Sequence, residues 1–155
     1  MHRTLRFLAL VSLAVWWGGL TVYAGIVVPV GTELFGSTAQ GFVTQRVTHW
    51  LNAFAAAALG ATAPLVWMSR RRWRLATWLL LAGSLAALVV VHVWLDQLVD
   101  PVRQSVPDHA RFYTVHRVYL WVTSLQWLAG IVLLWDLLET PPRAVEPHPA
   151  SRERQ

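Results

Sequence analysis

The chain has 155 residues, 55% of them hydrophobic and 14% charged, with a mean hydropathy of +0.44. So apolar a composition excludes an ordinary soluble domain of this size, whose surface would need more charge, and the absence of cysteine excludes disulfides, thiolate metal sites, cysteine nucleophiles and iron–sulfur clusters. All thirteen basic residues are arginine and the pI is near 11.0, so the charge persists at every accessible pH; membrane topology accounts for it better than nucleic-acid binding does.

In chain order, four windows carry no charged side chain: 26 residues between Arg6 and Glu33, 23 between Arg46 and Arg70, 21 between Arg74 and Asp96, and 18 between Arg117 and Asp136. Crossing a hydrocarbon core takes ~20 helical residues, so the windows predict spans at about 5–30, 47–68, 75–95 and 115–138. The expected fold is all-α, an integral membrane antiparallel four-helix bundle. It forms one domain over 1–140, followed by a disordered tail at 141–155. Four crossings put both termini on the same side as the middle connection, and that side holds nine arginines: Arg3, Arg6, Arg70, Arg71, Arg72, Arg74, Arg143, Arg152 and Arg154. The other side holds Arg46, Arg103, Arg111 and Arg117. The positive-inside rule therefore makes the termini cytoplasmic in an inner membrane. Tryptophans at 50, 94 and 121 and at 67, 73, 78 and 135 fall where the two interfacial belts belong.

The first span opens like a signal peptide, with Arg3 and Arg6 before an apolar run and a small residue, Ala24, at an acceptable cleavage position. Its apolar sequence runs on to Val30, longer than a signal peptide needs, which favours a retained helix. In the second span Ala53, Ala57 and Ala61, and beside them Ala56, Gly60 and Pro64, form small-residue ridges of the kind that let helices approach closely. Gly18, Gly25, Gly83 and Ala87 offer the same on the first and third spans. Residues 29–41 read as a polar, glycine-rich loop covering the outer mouth, with Phe35 and Phe42 tucked into it. The longer connection from Asp96 to Tyr113 contains Pro101 and Pro107 and offers Asp108 as a helix cap.

Polar side chains recur at helical spacing in three spans. His116, Tyr119, Thr123, Gln126 and Gly130 share one face of the fourth; Gln45, His49 and Asn52 share one of the second; Ser84, Leu88, His92 and Asp96 share one of the third. Lipid rejects such faces, so they should turn inward, making Asn52, Thr123 and Gln126 part of a polar bundle interior. The topology sets His49, His92 and His116 at similar depth near the outer face. Imidazole binds zinc, copper or haem iron, and Asp96, four residues after His92, can complete the shell or orient the ring. A haem b between two of these histidines would place its propionates near Arg46, Arg111 or Arg117, with Tyr119 in the porphyrin wall. The same histidines suit a structural polar cluster at an interface, and the spacing alone does not choose between the two.

Trp17-Gly18-Gly19 in a first helix reaching Val28 and Pro29, Gly41 and Phe42 before the second, a third ending in His92 and Asp96, and Phe112, Tyr113, His116 and Arg117 opening the fourth together resemble a family of bacterial four-span integral membrane proteins of unknown function. More distantly they resemble the membrane part of CopD-type copper-resistance proteins. The resemblance covers residues 5–138 and implies a four-helix bundle and a copper or haem ligand; it supplies no activity. Three readings remain open: a metal- or haem-binding protein using the outer histidines, an accessory subunit packed against a membrane-protein partner or another copy, and a small transporter. The last would want polar groups through the full depth, and these thin out below Gln126. No serine motif, paired carboxylates or zinc-protease helix supports hydrolase chemistry.

Overall fold

The computed structural model describes residues 2–69, 71–100 and 105–139. Four α-helices follow in order, α1 (His2–Val22), α2 (Val28–Met68), α3 (Arg72–Gln97) and α4 (His109–Glu139), with a π-helical turn at Tyr23–Val27 joining α1 to α2. The fold is all-helical. Three helical runs are long and apolar enough to cross a membrane, Arg3–Met68, Arg72–Gln97 and His109–Glu139.

The first of these runs is where the structure corrects the expected boundaries. The first and second spans are not separated by a long loop: the 66 residues from Arg3 to Met68 are helical except at Gly36. Two devices make this possible. Pro29 lacks an N–H and crowds the carbonyl four residues back, and the chain relieves this just before it with the π turn, where the Val28 N–H bonds to Tyr23 O instead. Gly36 then adopts φ 81°, ψ 160°, a conformation essentially confined to glycine, and the run reverses there. The reversal is visible in contacts. Tyr23 Oη donates to Thr44 Oγ1 at 3.1 Å, whereas residues 21 apart on a straight helix would be ~30 Å apart. The Gln40 side chain lies against Gly31 so closely that a β-carbon there would sit 1.9 Å from its Oε1.

Residues 31–46 are therefore helical apart from Gly36, and Phe35 is exposed rather than tucked inward. Glycine in a helix costs ~1 kcal/mol, yet side-chain bonds back to the helix from Thr32 to Val28 O (2.8 Å) and from Thr44 to Gln40 O (2.9 Å), together with the packing of the two arms, hold the helical form. At its other end α4 begins six residues before the expected start, at His109, where the Asp108 carboxylate accepts the Arg111 N–H at 3.0 Å, the cap the sequence predicts. The tail at 141–155 lies outside the described residues.

One apolar core joins all four helices: Leu13, Trp16 and Leu20 of α1; Ala55, Ala58, Leu59 and Val66 of α2; Leu81 of α3; Ala129, Leu133 and Leu137 of α4. The outward faces are also apolar, with Phe7, Val15, Phe54, Leu79, Val90 and Leu128 exposed. That arrangement is stable only where the surroundings are as apolar as the side chains. Six of the seven belt tryptophans are exposed; Trp78 is half-buried, packs on the core and donates to Leu59 O at 3.2 Å.

The small-residue seam on α2 is not where it was expected. Ala53, Ala56, Ala57, Gly60 and Pro64 are exposed, and Gly60 has open space where a side chain would stand. The packed face of α2 is instead Ala55, Ala58, Leu59, Thr62 and Val66. The tight glycine contact is on α4. A β-carbon at Gly130 would lie 3.0 Å from both the Trp16 and Trp17 rings. Trp17 also stacks on Trp127 (centroids 5.2 Å) and donates to its carbonyl at 3.1 Å, while Trp127 donates to Thr21 Oγ1 at 2.8 Å.

The end where α2 turns into α3 is held by charge. The Arg74 guanidinium bonds the Asp136 carboxylate through Nε and the Asp136 carbonyl through Nη2 (3.3 Å), and Arg71 approaches the same carboxylate at 3.4 Å. Arg6 caps the end of α4 by donating to Leu137 O (2.7 Å) and Leu138 O (3.1 Å). This is the arginine end of the molecule, and the opposite end carries His49 and His92.

Candidate metal site at the histidine end

Each group of the site stands on a helix that the sequence would extend on its own, α2 for Gln45, His49 and Asn52, α3 for His92 and Asp96, and α4 for Tyr119 and Thr123. The helical repeat places Gln45 one turn from His49 and His92 one turn from Asp96, and the antiparallel approach of α2 and α3 sets the two pairs face to face. His92 Nε2 is 3.1 Å from His49 Nδ1 and 3.7 Å from Asp96 Oδ1. His49, His92 and Asp96 thus offer three ligand atoms that all lie within 4.8 Å of one another.

Two further contacts fix these groups. Gln45 Nε2 donates to Asp96 Oδ1 at 2.6 Å, tethering the carboxylate to α2. His49 Nδ1 is also 3.0 Å from the carbonyl of Gln45. The His49 and His92 rings meet edge to face, 79° apart with centroids at 4.5 Å. His92 is buried, Asp96 is half-buried and His49 is exposed, so the cluster is closed toward the core and open on the α2 side.

Of the residues expected here, His116 is not brought in. It stands on α4 stacked against Phe112, with centroids 5.7 Å apart and planes within 8°. The reason is helical phase: α4 turns Tyr119 toward His92 (centroids 6.3 Å), and His116, almost one turn earlier, finds an aromatic partner on its own helix. Below the histidines, Tyr119 is within hydrogen-bonding reach of the Thr48, Asn52 and Thr123 side chains. Deeper still Gln126 is buried, and its Nε2 has no hydrogen-bond partner among the described residues. The deeper members of the stripes, Asn52, Thr123 and Gln126, are half-buried or buried, whereas His49 is exposed. Arg46 and Arg117 are exposed and take no part.

Two residues matter that sequence spacing did not single out. Gln45 had a place on the α2 stripe but not as the partner of Asp96, and Thr48, buried beside Tyr119, lies between two residues of that stripe. Each is one helical turn or less from a histidine, and that proximity was the available signal.

Metal geometry can be tested against the donor spacing. A tetrahedral ion with bonds of ~2.0–2.1 Å holds its donors about 3.3–3.4 Å apart. The observed 3.1 and 3.7 Å lie on either side of that value, but the three atoms spread over up to 4.8 Å and His49 Nδ1 also meets the Gln45 carbonyl, so the side chains would have to shift, and His49 give up that contact, to close on an ion. A porphyrin does not fit the same pair. Axial histidines stand on opposite faces of the macrocycle, and here the two nitrogens are at hydrogen-bond distance with nothing able to pass between the rings. Comparison with protein-family models, with the curated proteins and with the solved structures gave no match.

Proposed function

We propose that this chain is a four-span integral membrane protein that binds one zinc or copper ion at its histidine end through His49, His92 and Asp96, with Gln45 orienting the carboxylate. The arms of the first helical run on either side of Gly36 count as two crossings and α3 and α4 as the others. Nine arginines against four orient the termini to the cytoplasm and the ion site to the outside. The observation that carries the metal reading is the donor spacing, three ligand atoms within 4.8 Å drawn from two helices. The chemistry of the set, two imidazoles and one carboxylate with no thiolate, suits zinc or oxidised copper, and the resemblance to CopD-type proteins points toward copper.

The test is metal content. Protein purified in mild detergent, stripped by chelator and re-equilibrated with zinc or copper should retain about one ion per chain. His92→Ala should lose nearly all of it, and Gln45→Leu should weaken affinity ~10–100-fold, as removal of an orienting partner does. His116→Ala should bind as the wild type does. Full retention by His92→Ala, or no stoichiometric ion in the wild type, removes the site.

Orientation has its own measurement. In intact cells a cysteine placed at Ser105 should react with a membrane-impermeant thiol reagent and one at Ser69 should not; the reverse pattern would move the site to the cytoplasm. A second reading, an accessory subunit, is favoured by the ridge of Ala53, Ala56, Ala57 and Gly60, which is exposed among the described residues.

A further inference from the structure

Two shallow apolar grooves flank the start of α3 at the arginine end, and their rims differ in charge. One, about 240 Å³, is lined by Val66, Trp67, Arg71, Arg72 and Leu75. The other, about 320 Å³, is lined by Trp73, Ile131, Val132, Trp135, Asp136 and Glu139. Both have the apolar walls an acyl chain needs and the indoles that mark a membrane interface, so shape does not separate them. Charge does: the first has two guanidiniums at its rim and no carboxylate, the second two carboxylates, of which Asp136 is already paired with Arg74.

The cations of the first groove are also underused. Asp136 is already bonded by Arg74, so Arg71 is its second cation, held at 3.4 Å with its side chain 58% exposed; a strong charge-assisted bond is ~2.7–2.9 Å. That leaves most of the five guanidinium N–H donors of Arg71 for another anion. Arg72 is exposed and forms no ion pair among the described residues. At this end the described residues include five arginines, Arg3, Arg6, Arg71, Arg72 and Arg74, against the two carboxylates Asp136 and Glu139.

We infer that the groove of Val66, Trp67, Arg71, Arg72 and Leu75 is a binding site for one anionic phospholipid, its phosphate bridged by Arg71 and Arg72 and one acyl chain lying along Trp67 and Leu75. The other groove, with Asp136 already paired to Arg74 and Glu139 beside it, offers the phosphate no cation at its rim and does not select an anionic lipid. The site is independent of the metal at the far end, and of which leaflet faces the cytoplasm.

The probe is native mass spectrometry of the full chain in mild detergent, titrated with dioleoyl phosphatidylglycerol or dioleoyl phosphatidylcholine. Phosphatidylglycerol should be retained at one per chain in preference to phosphatidylcholine. Arg72→Gln, which leaves Asp136 and its partners untouched, should weaken that retention about fivefold, and Arg71→Gln with Arg72→Gln roughly twenty-fivefold, with melting of the Arg72→Gln protein unchanged. Arg3→Gln should have little effect, and millimolar glycerol phosphate should not displace the lipid. Equal retention of both lipids by the wild type, an unchanged response in Arg72→Gln, a matching loss in Arg3→Gln, or displacement by glycerol phosphate would each overturn the site.

Discussion

Replacing Asp136 by alanine is expected to cost the folded protein about 3–5 kcal/mol, the loss typical of breaking a buried ion pair from one side. The Arg74 side chain is only 4% exposed, and Asp136 at 14% is nearly as enclosed, so the variant strips a buried guanidinium of its carboxylate. The loss should appear as a large drop in melting temperature in detergent. The reverse change, Arg74→Met, should cost less, because Arg71 still approaches the carboxylate that remains. Replacing both at once, Arg74→Met with Asp136→Leu, should restore much of the stability, since the desolvation cost of both charges disappears together. A double variant no better than Asp136→Ala would mean that the pair is not the origin of the effect.

The second large effect is expected at Gly130. A single β-carbon there already meets two indole rings at 3.0 Å, so Gly130→Leu must displace Trp16 from the core and break the stack of Trp17 on Trp127. Overpacking of this kind costs ~1–3 kcal/mol, and the expectation here is the upper end, about 3 kcal/mol, because both neighbours are rigid rings. Gly60→Leu, placed in open space on the exposed side of α2, should leave the melting temperature nearly unchanged. Equal destabilisation by the two substitutions would show that the α1–α4 contact is looser than these distances.

What the residue pattern could and could not reveal follows from the physics of each feature. Charge-free windows report where helices can lie in lipid, and all four predicted windows are helical. Helical periodicity reports which side chains share a face, and the inward turn of Tyr119, Thr123 and Gln126 follows from it. Neither signal reports the relative phase of two helices. That is why His116 looked equivalent to His92 but stacks on Phe112, and why the alanine ridge of α2 looked like a seam but faces outward. The turn at Gly36 was hidden because a glycine-rich polar stretch has the same composition whether it is a loop or a helical reversal, and only the fit of Gln40 against Gly31 decides. The Arg74–Asp136 pair was legible in principle: opposite charges end the third and fourth windows on the same side, where antiparallel helices bring such ends together.

The reversal at Gly36 also shapes the approach to the proposed ion site. His49 stands thirteen residues along the helix from Gly36, so the paired arms of the first run stand ~20 Å above the level of the histidines, whereas α3 ends five residues past His92. The site therefore sits at the foot of a tall wall on one flank and beside a low parapet on the other. The proposed site is open beneath that wall, where His49 is exposed on α2, so an ion would enter past His49. Delivery to the proposed site would then be directional, and a bulkier neighbour beside His49 would alter how fast an ion arrives and leaves without altering how tightly it is finally held.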